Sequence, residues 1–116
     1  MTIKDGIARV HAIVSTFDHV ELGSTYGFPA FKVRGKTFGW FPEKKEVPVG
    51  TLGVRLSIME REYLIERDPK LYFFTPHYRD YDAVLAHVDL MSDAELRELL
   101  ESGYEFVIKL AKRRKK

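Results

Sequence analysis

Hydrophobic residues recur at helical spacing near both ends of the chain, which predicts a helix at each end. The first stripe follows Thr2, which can cap free amides, and predicts a helix to about Ser15. The second follows Ser92 and Glu95, whose spacing matches a capping box, and predicts a long C-terminal helix. The stripes consist of Ile3, Ile7, Val10, Ile13 and Val14, and of Leu96, Leu99, Leu100, Gly103, Val107 and Leu110.

Between these helices, apolar and polar residues alternate, which is typical of β-strands. Strands are expected at Val20–Thr25, within residues 30–41, within residues 51–58 and at Val84–Leu90. A second capping box at Ser57–Glu60 predicts a short helix that ends before Pro69. The order of helix, strands, short helix, strand and long helix predicts an α+β domain with helices on one face of an antiparallel sheet.

Residues 30–41 are expected to form a hairpin with Gly35 and Lys36 as a two-residue turn. The pairs expected across the ladder are Val33 with Phe38, Phe31 with Trp40, and Lys32 with Gly39. The large apolar side chains of this hairpin, Trp40 included, then face the core. The cations Lys32 and Arg34 face solvent.

Composition limits what kind of protein this is. The length of 116 residues fits one domain, residues 1–110, followed by a basic tail, residues 111–116. No apolar run is long enough for a membrane span, and no export signal is evident, so a cytoplasmic protein is expected. The absence of cysteine excludes disulfides, thiolate metal sites and a cysteine nucleophile.

The net charge of +2 conceals an uneven distribution. The last eight residues hold six of the 19 Lys and Arg, which leaves 13 basic against 17 acidic residues before them. The remainder of the chain is therefore mildly acidic. A basic tail and a cationic strand face are features that phosphate binding requires. The candidate phosphate contacts are Lys32, Arg34, Lys36, Arg55, Lys112, Arg113 and Arg114.

A second candidate site lies in Thr75–Tyr81, on an expected loop. Here His77, Tyr78, Arg79 and Tyr81 could hold an anionic or aromatic small ligand. No nucleophile with an evident base stands nearby, and the four histidines lack metal-ligand spacing. We therefore expect a binding domain, not an enzyme, with neither metal nor cofactor. A protein-interaction surface is the remaining alternative.

Three blocks of the sequence resemble the MmcQ/YjbR family of small bacterial proteins. They are Ser24–Phe41, Leu56–Pro69 and Phe73–Leu90, the last of which carries a Thr-Pro-His-Tyr run. At Asp80 this chain departs from the glycine usual in the family before Tyr81. The resemblance implies a curved antiparallel sheet packed against three helices, sometimes described as a double wing. It also implies DNA as the partner.

Overall fold

The computed structural model of the chain describes the backbone of residues 3–25, 28–42, 47–48 and 50–113, and the side chains of these except residues 3–5, 25, 28 and 113. These residues form three α-helices and six strands. The helices are α1 (Ile3–Val14), α2 (Ile58–Arg67) and α3 (Asp93–Arg113). The strands are β1 (Val20–Thr25), β2 (Phe28–Val33), β3 (Lys36–Trp40), β4 (Thr51–Arg55), β5 (Tyr72–Phe73) and β6 (Ala83–His87). Short 3-10 turns lie at Pro76–Tyr78 and Val88–Leu90.

The strands form one antiparallel sheet in the order β1-β2-β3-β4-β6-β5. The predicted α+β class is therefore confirmed. The last predicted strand is shorter than expected, because the chain leaves the sheet after His87 and turns at Val88–Leu90 toward α3. No helix in the described ranges combines the length and apolar character that a membrane crossing demands.

Both predicted capping boxes contribute to the helix starts. The Ser57 hydroxyl accepts a hydrogen bond from the Glu60 amide at 3.1 Å. At α3 the bonds are reciprocal: the Ser92 hydroxyl accepts from the Glu95 amide, and a Glu95 carboxylate oxygen accepts from the Ser92 amide at 2.9 Å. Each bond satisfies an amide that the first helical turn leaves without a partner.

The main core lies between the sheet and its helices, and its members include Val10, Phe31, Phe38, Leu52, Val54, Val84, Leu100 and Val107. We call this side the helix face. Helix α3 can approach closely because residue 103 is glycine. A Cβ there would lie 2.5 Å from Val54 and 3.2 Å from the carbonyl oxygen of Phe38. The opposite side, the loop face, carries a smaller cluster of Val47, Tyr78 and Leu85, against which Trp40, Phe73 and Phe74 pack.

The hairpin turn differs from the prediction. Arg34 and Gly35 form it, with φ angles of 53° and 77°, and Val33 pairs with Lys36. A two-residue turn with both φ angles positive matches the right-handed twist of the strands, and glycine adopts the second position without strain. The predicted Gly35-Lys36 turn is therefore wrong by one residue.

A β-bulge in β3 also changes which way its side chains point. On β2 and β3, Lys32 pairs with Thr37, but the next residue of β2, Phe31, pairs with Gly39. Phe38 therefore has no residue opposite it. Because a bulge inserts one residue, alternation resumes out of phase beyond it. Phe38 is fully buried on the helix face, whereas Trp40 pairs with Ala30 and Gly53 and packs on the loop face. The predicted pairing of Trp40 with Phe31 is wrong.

Candidate functional site

The β2–β3 hairpin presents its cations in two ways. Arg34 is exposed at the turn, and Lys36 is half-buried directly after it. Lys32 lies two residues before the turn, on the loop face, where its neighbour across β1 is Glu21. The two turn cations therefore project from the end of the sheet, while Lys32 lies on its face opposite the acidic residue Glu21.

The direction of α3 brings further cations to that end of the sheet. The segment before α3 is fixed at the start of β4, where the Val88 amide bonds the Gly50 carbonyl oxygen at 3.0 Å. By Gly103 the helix has reached the other end of β4, because a Cβ there would lie 3.1 Å from the Arg55 carbonyl oxygen. The last two turns of α3 continue beyond this point.

Strand β3 runs antiparallel to β4, so the β2–β3 turn lies at the same end of the sheet as the end of α3. We call this region the basic end; its described cations are Arg34, Lys36, Lys109 and Lys112. All four lie outside the core, and the carboxylates of Asp18 and Glu105 are exposed in the same region. The predicted contacts Arg113 (its side chain) and Arg114 lie outside the described residues.

Arg55 differs from the other predicted phosphate contacts, because its guanidinium is already occupied. Its Nε donates to the carbonyl oxygen of Asp82 at 3.1 Å. Its guanidinium carbon lies 5.0 Å from the ring centre of Tyr81 and 5.5 Å from that of Phe106. Arg55 therefore joins the end of β4 to the loop before β6 and to α3.

The second candidate site is split by burial. The Tyr78 side chain is buried on the loop face, with its ring centre 6.0 Å from that of Trp40. His77 and Arg79 are exposed on either side of it, and His77 packs edge-on against the Tyr78 ring. Tyr81 is 45% exposed and lies 6.1 Å from Trp40. Tyr78 therefore anchors the loop, and the other three side chains border solvent.

Arg61, a residue that sequence reasoning missed, holds this loop in place. It is 2% exposed, yet its guanidinium has no carboxylate partner among the described residues. It donates instead to four backbone carbonyl oxygens, those of Tyr78, Arg79, Tyr81 and Ala83, at 2.9 to 3.2 Å. Its planar face packs 4.2 Å from the ring centre of Phe74. The signal in the sequence was weak: Arg61 precedes the buried Leu64 by three residues on one side of α2.

A small cleft opens between α2 and α3, away from both predicted sites. Its volume is about 120 Å³, and it is lined by Glu60, Tyr63, Leu64, Arg67, Tyr72, Glu95, Glu98, Leu99 and Ser102. Burial is the main cause that raises the pKa of the Tyr72 phenol, and Glu95 raises it further. Arg67, at half exposure, pairs with Asp68 at 3.2 Å. The cleft is thus predominantly acidic, which is unfavourable for phosphate.

Three of the histidines, His11, His77 and His87, pack against aromatic rings, whereas His19 is exposed. His11 packs edge-on against Phe31, and His87 stacks on Phe73 with ring centres 4.6 Å apart. Within the described part of the chain no group of three or more potential ligand side chains is placed to hold a metal ion.

Comparison with known proteins identifies the family. The YjbR family model matches residues 15–106, which include all six strands, α2 and most of α3. The chain belongs to the YjbR family. This is not a known enzyme family. The match confirms the resemblance seen in the sequence.

A solved structure shares the YjbR fold. Deinococcus radiodurans protein DR2400, described with the domain DUF419, superposes with a TM-score of 0.68 at 16% sequence identity. The match covers 89% of this chain and 75% of that one. At this identity the likeness concerns the fold. No curated protein matches the chain.

Proposed function

We propose that this YjbR-family domain is a non-enzymatic DNA-binding module whose basic end contacts phosphates. The observation that carries the proposal is the position of the β2–β3 turn and the end of α3 at one end of the sheet. In this arrangement Arg34, Lys36 and Lys112 contact phosphates together with the tail cations Arg113 and Arg114. Lys32 contributes from the adjoining loop face.

The distribution of charge also supports an approach of DNA to the basic end. The surface around α2 and the first half of α3 is acidic, with exposed carboxylates at Glu60, Glu62, Glu66, Glu95, Glu98 and Glu101. A polyanion is repelled there and attracted to the basic end, so the protein approaches DNA in one orientation. A chain without cysteine also suits the reducing cytoplasm, where we place it.

Arg55 has a supporting role in this proposal. Its guanidinium is bonded to Asp82 and stacked on Tyr81, so phosphate binding would break contacts within the protein. Removing Arg55 should therefore weaken DNA binding less than removing Arg34, and should loosen the loop before β6.

The test is a salt titration of binding to labelled duplex and single-stranded oligonucleotides, followed by fluorescence anisotropy. Phosphate contacts release counterions, so affinity falls as salt rises, and each lost contact lowers the salt slope by about 0.7–0.9. The variant Arg34→Ala/Lys36→Ala should bind more weakly and with a slope lower by about 1.5. The matched control is Arg67→Ala/Lys70→Ala, which removes the same charge from an exposed site away from the basic end.

Two results would overturn the proposal. One is the absence of binding to either oligonucleotide at low salt. The other is equal binding by Arg34→Ala/Lys36→Ala and its control, since the hairpin would then make no contact. Deletion of residues 112–116 separates the contribution of the tail from that of the hairpin.

A second candidate function is binding of an anionic or aromatic small ligand at His77, Arg79 and Tyr81. The observation that favours it is that these three exposed side chains belong to one short loop, which Arg61 fixes. A thermal-shift screen with anionic and aromatic metabolites tests it. A ligand at a hundred times its Kd stabilises the fold by about 2.7 kcal/mol, so the absence of any shift contradicts this function.

A further inference from the structure

Trp40 lies flat on the loop face of the sheet. A Cβ built on Gly53 would lie 2.5 Å from the indole Cε2, 2.6 Å from Cζ2 and 2.9 Å from Nε1. The nearest atom, Cε2, is bonded to the other two and sits inside the ring system, so the glycine faces the plane of the indole and not its edge. One face of the indole therefore covers Gly53, and the other is directed away from the sheet.

Tyr81 lies next to Trp40. Their planes are inclined at 64°, with ring centres 6.1 Å apart. Tyr81 is 45% exposed, and Trp40 keeps part of its surface accessible, whereas the neighbouring Tyr78 is buried. We call Trp40 and Tyr81 the aromatic shelf. The Arg55 guanidinium stacks on the Tyr81 ring, and Arg61 donates a hydrogen bond to the Tyr81 carbonyl oxygen, so both residues hold Tyr81 in place.

We propose that the aromatic shelf stacks an unpaired nucleobase, so that the protein prefers single-stranded to duplex nucleic acid. The inference rests on the proposed function, because the phosphate contacts of the basic end bring the strand to the shelf. Bases of a duplex are already stacked on one another, whereas an unpaired base offers its face to an aromatic side chain. Stacking tolerates any base, so little sequence preference is expected.

The shelf and the basic end are joined along β2. Ala30 pairs with Trp40, and Arg34 at the turn is four strand residues further on, about 13 Å away. Lys32 lies midway on the same face, so a strand that follows β2 meets a cation between the shelf and the turn.

The aromatic shelf and the basic end differ in local charge. Around the shelf, Lys32 and Arg79 are offset by Glu21 and Asp80, so attraction for phosphate is weak there. At the basic end cations outnumber carboxylates. The basic end therefore supplies most of the salt-dependent affinity, and the shelf supplies a contribution that distinguishes unpaired from paired bases.

The experiment uses the intrinsic fluorescence of Trp40, the single tryptophan of the chain. The full-length protein is titrated with single-stranded oligothymidine of about 12 nucleotides and with a duplex of equal length. Stacking should quench Trp40 emission with the single strand and leave it nearly unchanged with the duplex. The single strand should also bind at least about fivefold more tightly.

Tyr81→Leu tests the shelf without altering charge, and Tyr63→Leu is its control, an exposed tyrosine on the acidic side of α2. Tyr81→Leu should weaken single-strand binding about fivefold or more and leave duplex binding unchanged. Tyr63→Leu should change neither. Urea unfolding of both variants establishes that they are folded.

The outcomes separate the two proposals. If the protein binds neither oligonucleotide, the proposed function fails and the shelf fails with it. If it binds single strand and duplex equally, with unchanged Trp40 emission, DNA binding stands and the shelf is refuted. If Tyr81→Leu weakens duplex and single strand to the same extent, the shelf is also refuted, because the loss does not depend on an unpaired base.

Discussion

The two faces of the sheet are covered by different kinds of structure, helices on one face and loops on the other. On the helix face, the backbone amide and carbonyl groups of α1 and α3 are hydrogen-bonded within each helix. Apolar side chains such as Val10 and Leu100 complete the core. On the loop face, irregular segments cover the sheet, and their carbonyl groups need partners from elsewhere. Arg61 supplies them with four hydrogen bonds.

This difference explains why two large aromatic side chains of the loop face, Trp40 and Tyr81, keep accessible surface. A helix buries a whole face, whereas a loop covers only what its few anchors reach. Tyr78 anchors the loop, and the neighbouring Tyr81 and Trp40 keep accessible surface. The helix face stabilises the fold, and the loop face carries the aromatic pair that we propose for base stacking.

Breaking the loop anchor should have the largest effect. Arg61→Met retains most of the side-chain volume but removes the four hydrogen bonds that hold the loop, which we expect to cost about 3 kcal/mol. The free energy of unfolding from urea titration measures the loss. The control is Arg67→Met, whose exposed ion pair with Asp68 should contribute less than about 1 kcal/mol. If Arg61→Met were as stable as this control, the loop face would not depend on its buried cation.

The helix face is tested at Gly103. Alanine is a better helix former than glycine, but its Cβ would lie 2.5 Å from Val54 and close to two backbone carbonyls. We expect the crowding to dominate, with a net loss of about 2 kcal/mol in the free energy of unfolding. Gly6→Ala in α1 is the matched control, because its nearest contact of 3.8 Å is ordinary. That control should be stabilised by about 0.5–1 kcal/mol. A stabilised Gly103→Ala would show that α3 does not pack this closely.

On the loop face, Gly53→Ala should have a smaller effect. The new methyl group would collide with the Trp40 ring, a side chain that can shift at a cost of about 1 kcal/mol. The Trp40 emission maximum should change along with the loss of stability. Gly23→Ala on β1 is the control, since nothing lies within 4 Å of its Cβ. Unchanged emission in Gly53→Ala would contradict the position of the indole over Gly53.

The smallest effect concerns pH. Burial raises the pKa of Tyr72 above its unfolded value, so the folded state holds this proton more tightly. The resulting stability is fully present below about pH 10, the unfolded pKa, and is lost as pH rises through the folded pKa. Tyr72→Phe should therefore reduce the alkaline loss of stability in urea titrations, and the exposed Tyr63→Phe should not. Equal alkaline sensitivity of both variants would contradict burial of the Tyr72 hydroxyl.

The helices were predictable because their signals are local. A capping box and an apolar stripe each involve residues within a few turns. The Ser92 box forms both of its bonds, and the Ser57 hydroxyl accepts the bond from the Glu60 amide. Alternation along β2 likewise placed Phe31 and Val33 correctly on the helix face.

The loop face was not predictable in the same way. The turn could be placed at Arg34-Gly35 or at Gly35-Lys36 without disturbing the alternation of β2, and a bulge leaves no periodic signal. The bulge at Phe38 depends on neighbours distant in sequence, since α3 lies against Phe38. Arg61 was missed for a similar reason, because its partners are backbone atoms 17 to 22 residues away.

The measurement that tests the account most directly is a nuclear Overhauser experiment on the Trp40 indole. If the bulge turns the Trp40 side chain to the loop face, the indole protons show contacts to Gly53 and to the rings of Tyr78 and Tyr81. Contacts from the indole to Phe31 or Tyr104 on the helix face would contradict it. Trp40 would then belong to the core, and the aromatic shelf would not exist.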